Sequence, residues 1–90
     1  MEMEIRELEK ILKAVANRQR LAILRYLKKE REASVSDIAG IIKLSFKSTS
    51  HHLRILSTAN IIERNQKGHS GYYRLTEKQH PVVRNILSLL

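Results

Sequence analysis

Apolar positions follow two rhythms along the 90-residue chain, and the change from one to the other divides it. Over residues 3–16, Ile5, Leu8, Leu12 and Val15 recur at spacings of three and four among Glu, Lys and Arg, which predicts a first helix. Asn17 interrupts the pattern and is placed to cap a second helix over residues 18–29. There Leu21, Ala22, Ile23, Leu24 and Leu27 leave little polar face, so this helix is central and Arg18, Arg20 and Arg25 should point outward. Residues 28–32 are all charged and read as a solvated turn. Ser34-Val35-Ser36-Asp37 has the form of a capping box and opens a short third helix carrying Ile38, Ala39, Ile41 and Ile42. A turn around Lys43 and Leu44 then leads to Ser45, the N-cap of a fourth helix. After Leu56 the rhythm changes to that of strands. Ile61–Gln66 and Tyr72–Leu75 flank a glycine-containing polar loop and predict a hairpin. Pro81 suits the first position of a last helix bearing Val82, Val83, Ile86, Leu87, Leu89 and Leu90. The order is α-α-α-α-β-β-α, mainly α with a small β-hairpin.

The fourth helix is the stretch the rest is arranged around. Thr49, Leu53 and Leu56 make one inward stripe, while Lys47, Ser50, His51 and Arg54 fall on the other side with Ser48 in the first turn. That outer face is basic, rich in hydrogen-bond donors and free of carboxylates. It suits the major groove, where donors meet phosphates and base-edge acceptors, although a plain solvated face would read the same. Two short helices over residues 34–57 with so tight a connection have the signature of a helix-turn-helix. The hairpin over residues 61–75 adds Arg64, Lys67, His69 and Arg74, a natural second contact to the DNA backbone or minor groove. Phe46 is open to two readings, contact with a thymine methyl or packing on the preceding helix.

Charge sharpens this picture. The net charge is +8, and it is unevenly spread. Residues 1–16 hold three basic against four acidic side chains, whereas residues 43–74 hold six basic side chains against Glu63 alone. Basic charge gathered on one half is the footprint of a polyanion binder. A membrane surface competes for that role, but the basic region lacks the bulky apolar face of an interfacial helix. No apolar run approaches spanning length, and the charged N-terminus shows no signal-peptide core, so the expected location is cytoplasmic. The chain has no cysteine, hence no disulfide and no thiolate metal site. Four histidines at 51, 52, 69 and 80 do not make a zinc site, and neither metal nor cofactor is expected. An enzyme finds no support. There is no phosphate loop and no nucleophile elbow, and the single aspartate, Asp37, is accounted for as a cap.

Taken in order, Asn17-Arg18-Gln19-Arg20-Leu21, Ser50-His51-His52-Leu53 and Tyr72-Tyr73-Arg74-Leu75 resemble the ArsR/SmtB family of winged-helix transcriptional repressors over roughly residues 10–76. The resemblance implies a homodimer joined through its first and last helices, here residues 1–16 and 80–90, with recognition helices in successive major grooves. Its implied dimer residues are Ile5, Leu8, Leu12, Val15, Val83, Ile86, Leu87 and Leu90. The DNA-contacting set is Lys47, Ser48, Ser50, His51, Arg54, Arg64, Lys67 and His69. Metal-sensing members carry Cys-x-Cys in the third helix, where this chain has Ser34-Val35-Ser36, or paired Asp and His ligands in the last helix, where it has only His80. The expected protein is therefore one winged-helix domain over residues 1–90. It would act as a sequence-specific regulator of double-stranded DNA, a dimeric repressor without the usual metal ligands. A winged-helix module for protein–protein contact in a larger assembly is the alternative. No residue pattern names a small-molecule effector.

Overall fold

A computed structural model describes residues 3–68 and 70–90. The described residues form five helices and three strands: α1 (Ile5–Val15), α2 (Arg18–Glu30), β1 (Glu32–Ser34), α3 (Val35–Ile42), α4 (Phe46–Thr58), β2 (Ile62–Lys67), β3 (Ser70–Leu75) and α5 (Pro81–Ser88). This is a winged helix-turn-helix with one strand more than the periodicity predicts. None of its helices is long and apolar enough to cross a membrane.

Local chemistry sets the helix starts. Asn17 Oδ1 accepts hydrogen bonds from the backbone N–H groups of Gln19 (2.9 Å) and Arg20 (3.1 Å), satisfying two donors that open α2. Ser34 and Asp37 close a reciprocal capping box at α3, with Asp37 N donating to Ser34 Oγ at 3.1 Å and Ser34 N to Asp37 Oδ2 at 3.3 Å. Lys43 ends α3 in the left-handed conformation (φ 57°), a place where glycine is commoner, and so turns the chain sharply into α4. Ser45 Oγ then accepts from Ser48 N at 3.1 Å.

The core is built from one side of every helix. Ile11, Ala14 and Val15 of α1 meet Ile23, Leu24 and Leu27 of α2, Ile38 and Ile42 of α3, and Leu53 and Leu56 of α4. Ile61, Ile62 and Val83 close it from the sheet side and from α5. At the far end, Gln79 Nε2 donates to Ile61 O (2.7 Å) and Thr76 Oγ1 (2.7 Å), while Thr76 Oγ1 donates to Asn60 O (2.9 Å). These bonds fasten the segment before α5 to the turn after α4. Lys28 Nζ donates to Leu87 O at 2.8 Å, a carbonyl that also accepts from Leu90 N at 3.0 Å, and so places a cation at the C-terminal end of α5.

Two expectations change. The charged segment 28–32 does not end as a solvated turn: Glu32 begins β1, which pairs antiparallel with β3 through Glu32↔Arg74, Ala33↔Tyr73 and Ser34↔Tyr72. The sheet order is β1-β3-β2. Strand β3 would otherwise present an unpaired edge, and a three-residue segment covers it. The α1 stripe also divides into two neighbouring ones. Val15, with Val83 on α5, is buried in the core of its own chain, so neither can meet a second copy. Ile5 (86% exposed) and Leu12 (44%) stay outside, with Leu8 half-buried beside them, and together with Ala16 they line a shallow groove of about 360 Å³. On α5 and the chain end, Ile86, Leu87 and Leu90 are half-buried while Leu89 is 83% exposed.

One core position is not apolar. Thr49 is fully buried in α4, and its hydroxyl has no hydrogen-bond partner among the described residues. A buried hydroxyl without a partner costs about 1–3 kcal/mol, and valine has nearly the same shape without that cost. Thr49→Val should raise unfolding stability by about 1 kcal/mol, which is about 4–8 °C in Tm for a domain of this size. Chemical denaturation of both proteins checks this, and a lower midpoint for the valine variant would mean the hydroxyl is satisfied.

Candidate nucleic-acid interface

Helix α4 has two unlike faces, held apart by its packing. Thr49, Leu53 and Leu56 are sealed in the core, which fixes the rotation of the helix. Lys47, Ser48, His51 and Arg54 are therefore exposed on the outside, with Ser50 half-buried at its margin. Among the described residues no carboxylate pairs with Lys47 or Arg54, so both cations remain available to a polyanion. Phe46, the first residue of the helix, is 63% exposed. Most of its surface is open to solvent, which favours the contact reading over packing on the preceding helix.

The outer residues do not all look the same way. His51 and Arg54 also border a groove of about 800 Å³ between α4 and α1, whose other walls include Lys10 and Ala14 of α1 and Arg20 of α2. Lys47 and Ser50 lie outside that groove, nearer the free N-terminal end of α4. The expected reading face thus has a half that faces open solvent and a half that borders α1.

A latch that periodicity did not reveal crosses the base of this groove. Arg20, expected to point outward, is half-buried instead. Its Nε donates to Ala14 O at 2.6 Å and its Nη2 to Lys13 O at 3.3 Å, satisfying carbonyls at the end of α1. Its Nη1 lies 3.1 Å from His52 Nδ1 on α4. A guanidinium has only donors, so Nδ1 must accept, and a neutral His52 then carries its proton on Nε2. Burial chiefly, then the positive charges of Arg20 and His51, hold the His52 pKa below its ordinary value. One side chain of α2 therefore ties the dipolar end of α1 to α4. The helical spacing of residues 18–29 assigns Arg20 to the polar side of α2, but only the tertiary fold brings α1 carbonyls and His52 there.

On the wing, β2 and β3 pair in register from Ile62↔Leu75 to Lys67↔Ser70. The cations predicted to meet DNA sit in unequal surroundings. Lys67 Nζ is ion-paired with Glu32 of β1 and stands 5.4 Å from the centroid of the Tyr72 ring. Arg74 Nε bonds Glu63 Oε1 at 2.7 Å. Arg64 is exposed and has no carboxylate partner among the described residues. His69, also predicted to contact DNA, lies outside the described residues. Nor do the described residues gather three His, Asp or Glu side chains as a metal ion would require.

Residues 17–64 match the family model described as bacterial regulatory protein, arsR family. The chain is 33% identical over 75 residues to the arsenical resistance operon repressor of Bacillus subtilis, covering 83% of this chain and 71% of that protein. It is 31% identical over 88 residues to the transcriptional repressor PagR of Bacillus anthracis, covering 98% of this chain and 85% of PagR. Among solved structures it superposes on a homodimeric winged helix-turn-helix DNA-binding domain from Mycobacterium bovis with a TM-score of 0.81 and 27% identity, over 94% of this chain and 75% of that one.

The latch makes stability depend on pH. With its folded pKa held below the unfolded value of 6.5, His52 binds its proton more readily in the unfolded chain. Its contribution is intact above pH 6.5 and is lost as pH falls from there through the folded value. His52→Asn keeps an acceptor near the position of Nδ1 but does not titrate, so the difference in urea midpoint between wild type and variant should shift against wild type between pH 7.5 and 5. A difference that stays constant, or moves the other way, would contradict the assignment.

Proposed function

The chain belongs to the arsR family of bacterial regulatory proteins, and from that premise we propose that it is a sequence-specific regulator of double-stranded DNA, acting as a homodimeric repressor in the cytoplasm. The observation that carries this reading is the seating of α4: three buried positions hold outward a face of unpaired cations and hydroxyls. A module for protein–protein contact would have no use for such a concentration of basic charge.

Roles within the interface follow from position. Lys47 and Ser50, at the free end of α4, reach base edges in the major groove, with Ser48 beside them on the first turn. The exposed ring of Phe46 would meet a thymine methyl in the same groove, a reading its exposure supports. His51 and Arg54, nearer α1, meet phosphates at the groove's edge. Dimerisation uses Ile5, Leu8 and Leu12 with the half-buried Ile86 and Leu87 of α5 and Leu90 just beyond it. The exposure of Ile5, Leu12 and Leu89 supports this, as does the homodimeric state of the Mycobacterium bovis domain. Repression itself is supported by the relatives, two of which are named repressors. With no cysteine in the chain, any effector must act through other groups.

Selection of bound duplexes from a random pool tests the function. The expected product is a pseudo-palindrome whose half-sites lie about one helical turn, roughly 10–10.5 base pairs, apart. Recovery of no motif, with binding no better than to random duplex, would rule out sequence-specific recognition. On the recovered site, Lys47→Ala or Ser50→Ala should cost about 1–3 kcal/mol and relax preference at one position. Equal losses on every duplex would show that these residues hold rather than read.

Dimerisation has its own test. Leu12→Glu places a charge on the exposed stripe without touching the core. It should shift sedimentation from dimer to monomer at micromolar concentration and weaken operator binding together. A wild-type monomer under those conditions would dispose of the dimer.

A further inference from the structure

The wing's three described cations divide by sheet face. Cross-strand partners share a face and successive residues alternate, so Glu32, Glu63, Lys67, Tyr72 and Arg74 lie on one side. That side carries its own neutralising network: Lys67 with Glu32, Arg74 with Glu63, and the Tyr72 ring beneath the Lys67 ammonium. Arg64 lies on the other face, which nearer the core contributes Ile62 and Leu75.

Arg64 is directly opposite Tyr73, and its diagonal neighbour toward the hairpin tip is Gly71. The guanidinium lies across that glycine. A β-carbon built at Gly71 would come within 2.6 Å of Arg64 Cζ, closer than real atoms approach. Gly71 is not among the positive-φ residues of the chain, so its backbone does not itself demand glycine. What the missing side chain supplies is room for a planar cation to extend along the strand toward the tip.

The geometry points to Gly71 as a positioning residue for Arg64, and to Arg64 rather than Lys67 as the described wing cation that touches DNA phosphate. This rests on the DNA-binding reading above and deepens it. Lying over the glycine and without a side-chain hydrogen-bond partner among the described residues, the guanidinium keeps N–H groups available to a phosphate. Lys67 already spends its charge on Glu32, and meeting DNA would require breaking that pair. An alanine at Gly71 fits the strand, and the flexible end of Arg64 gives way. The expected cost therefore falls on DNA affinity and not on folding.

The test is a double-mutant cycle on the duplex recovered by selection, read by fluorescence anisotropy over a series of salt concentrations, with melting followed by circular dichroism. Arg64→Ala should weaken binding by about three- to tenfold and reduce the slope of log affinity against log salt by about one, the loss of one phosphate contact. Gly71→Ala should reproduce much of that loss and flattening while melting close to wild type. In the Arg64→Ala background it should add nothing further. Lys67→Ala should leave the salt slope at its wild-type value. Full additivity of the two losses, a Gly71→Ala protein with wild-type binding, or one that fails to fold would each overturn the positioning role. A slope reduced by Lys67→Ala but not by Arg64→Ala would reverse the assignment of the contact. Wild-type protein that binds no duplex at all would defeat the DNA-binding reading and this inference with it. Wild-type binding with Arg64→Ala at full affinity defeats this inference alone.

Discussion

The burial of one stripe of α4 governs the rest of the molecule. Leu53 and Leu56 are sealed in the core, and burying such a side chain contributes roughly 1.5–3 kcal/mol. Turning the helix by even a fraction of a turn would bring both into water. Its opposite face is therefore presented at a fixed angle, as the proposed recognition of base edges requires. The Ser45 cap fixes where the helix begins, and the left-handed Lys43 fixes its approach to α3. Specific reading needs this rigidity, because a bidentate base contact tolerates little angular error.

A second constraint connects this helix to the surface where two subunits would join. Arg20 satisfies carbonyls at the end of α1 and also meets His52 on α4, so displacement of either helix disturbs the same guanidinium. Helix α1 carries Ile5, Leu8 and Leu12 on its outer side. A change at that surface thus has a short physical route to the groove-facing helix, through three hydrogen bonds and one side chain. No cysteine or metal cluster is involved in this route.

Much of the fold was legible because its signals are local. Asn17, the Ser34–Asp37 box, Ser45 and Pro81 each mark a helix start within four residues of the groups they serve, and all four stand where the pattern puts them. The inward stripe Thr49, Leu53 and Leu56 was legible for the same reason. What escaped is non-local. Strand β1 exists because β3 offers an edge forty residues away, and Glu32-Ala33-Ser34 alone is too short to show alternation. Arg20 looked like a surface residue because its partners lie on two other helices. Val15 and Val83 match the dimer stripes in spacing, but two neighbouring stripes on one helix cannot be assigned to inside and outside until the packing partner is known. Phe46 was ambiguous in sequence because aromatic size predicts burial, whereas its place at the first turn of α4 leaves it in the open.

The same non-locality changes what net charge means. Counting residues 43–74 finds six cations against Glu63 alone, an almost undiluted basic surface. Yet β1 brings Glu32 from outside that window to Lys67, and Glu63 is itself taken by Arg74. Two of the wing's three described cations are paired before any ligand arrives, while Lys47 and Arg54 on α4 are not. Exposed pairs of this kind contribute little to stability, about 0–1 kcal/mol each, so their consequence is chiefly for binding. A paired cation retains its long-range attraction only in part, since the nearby carboxylate cancels it within a Debye length of about 8–10 Å. Unpaired positive charge among these residues is therefore concentrated on α4 and Arg64, and the rest of the wing is closer to neutral than its composition suggests.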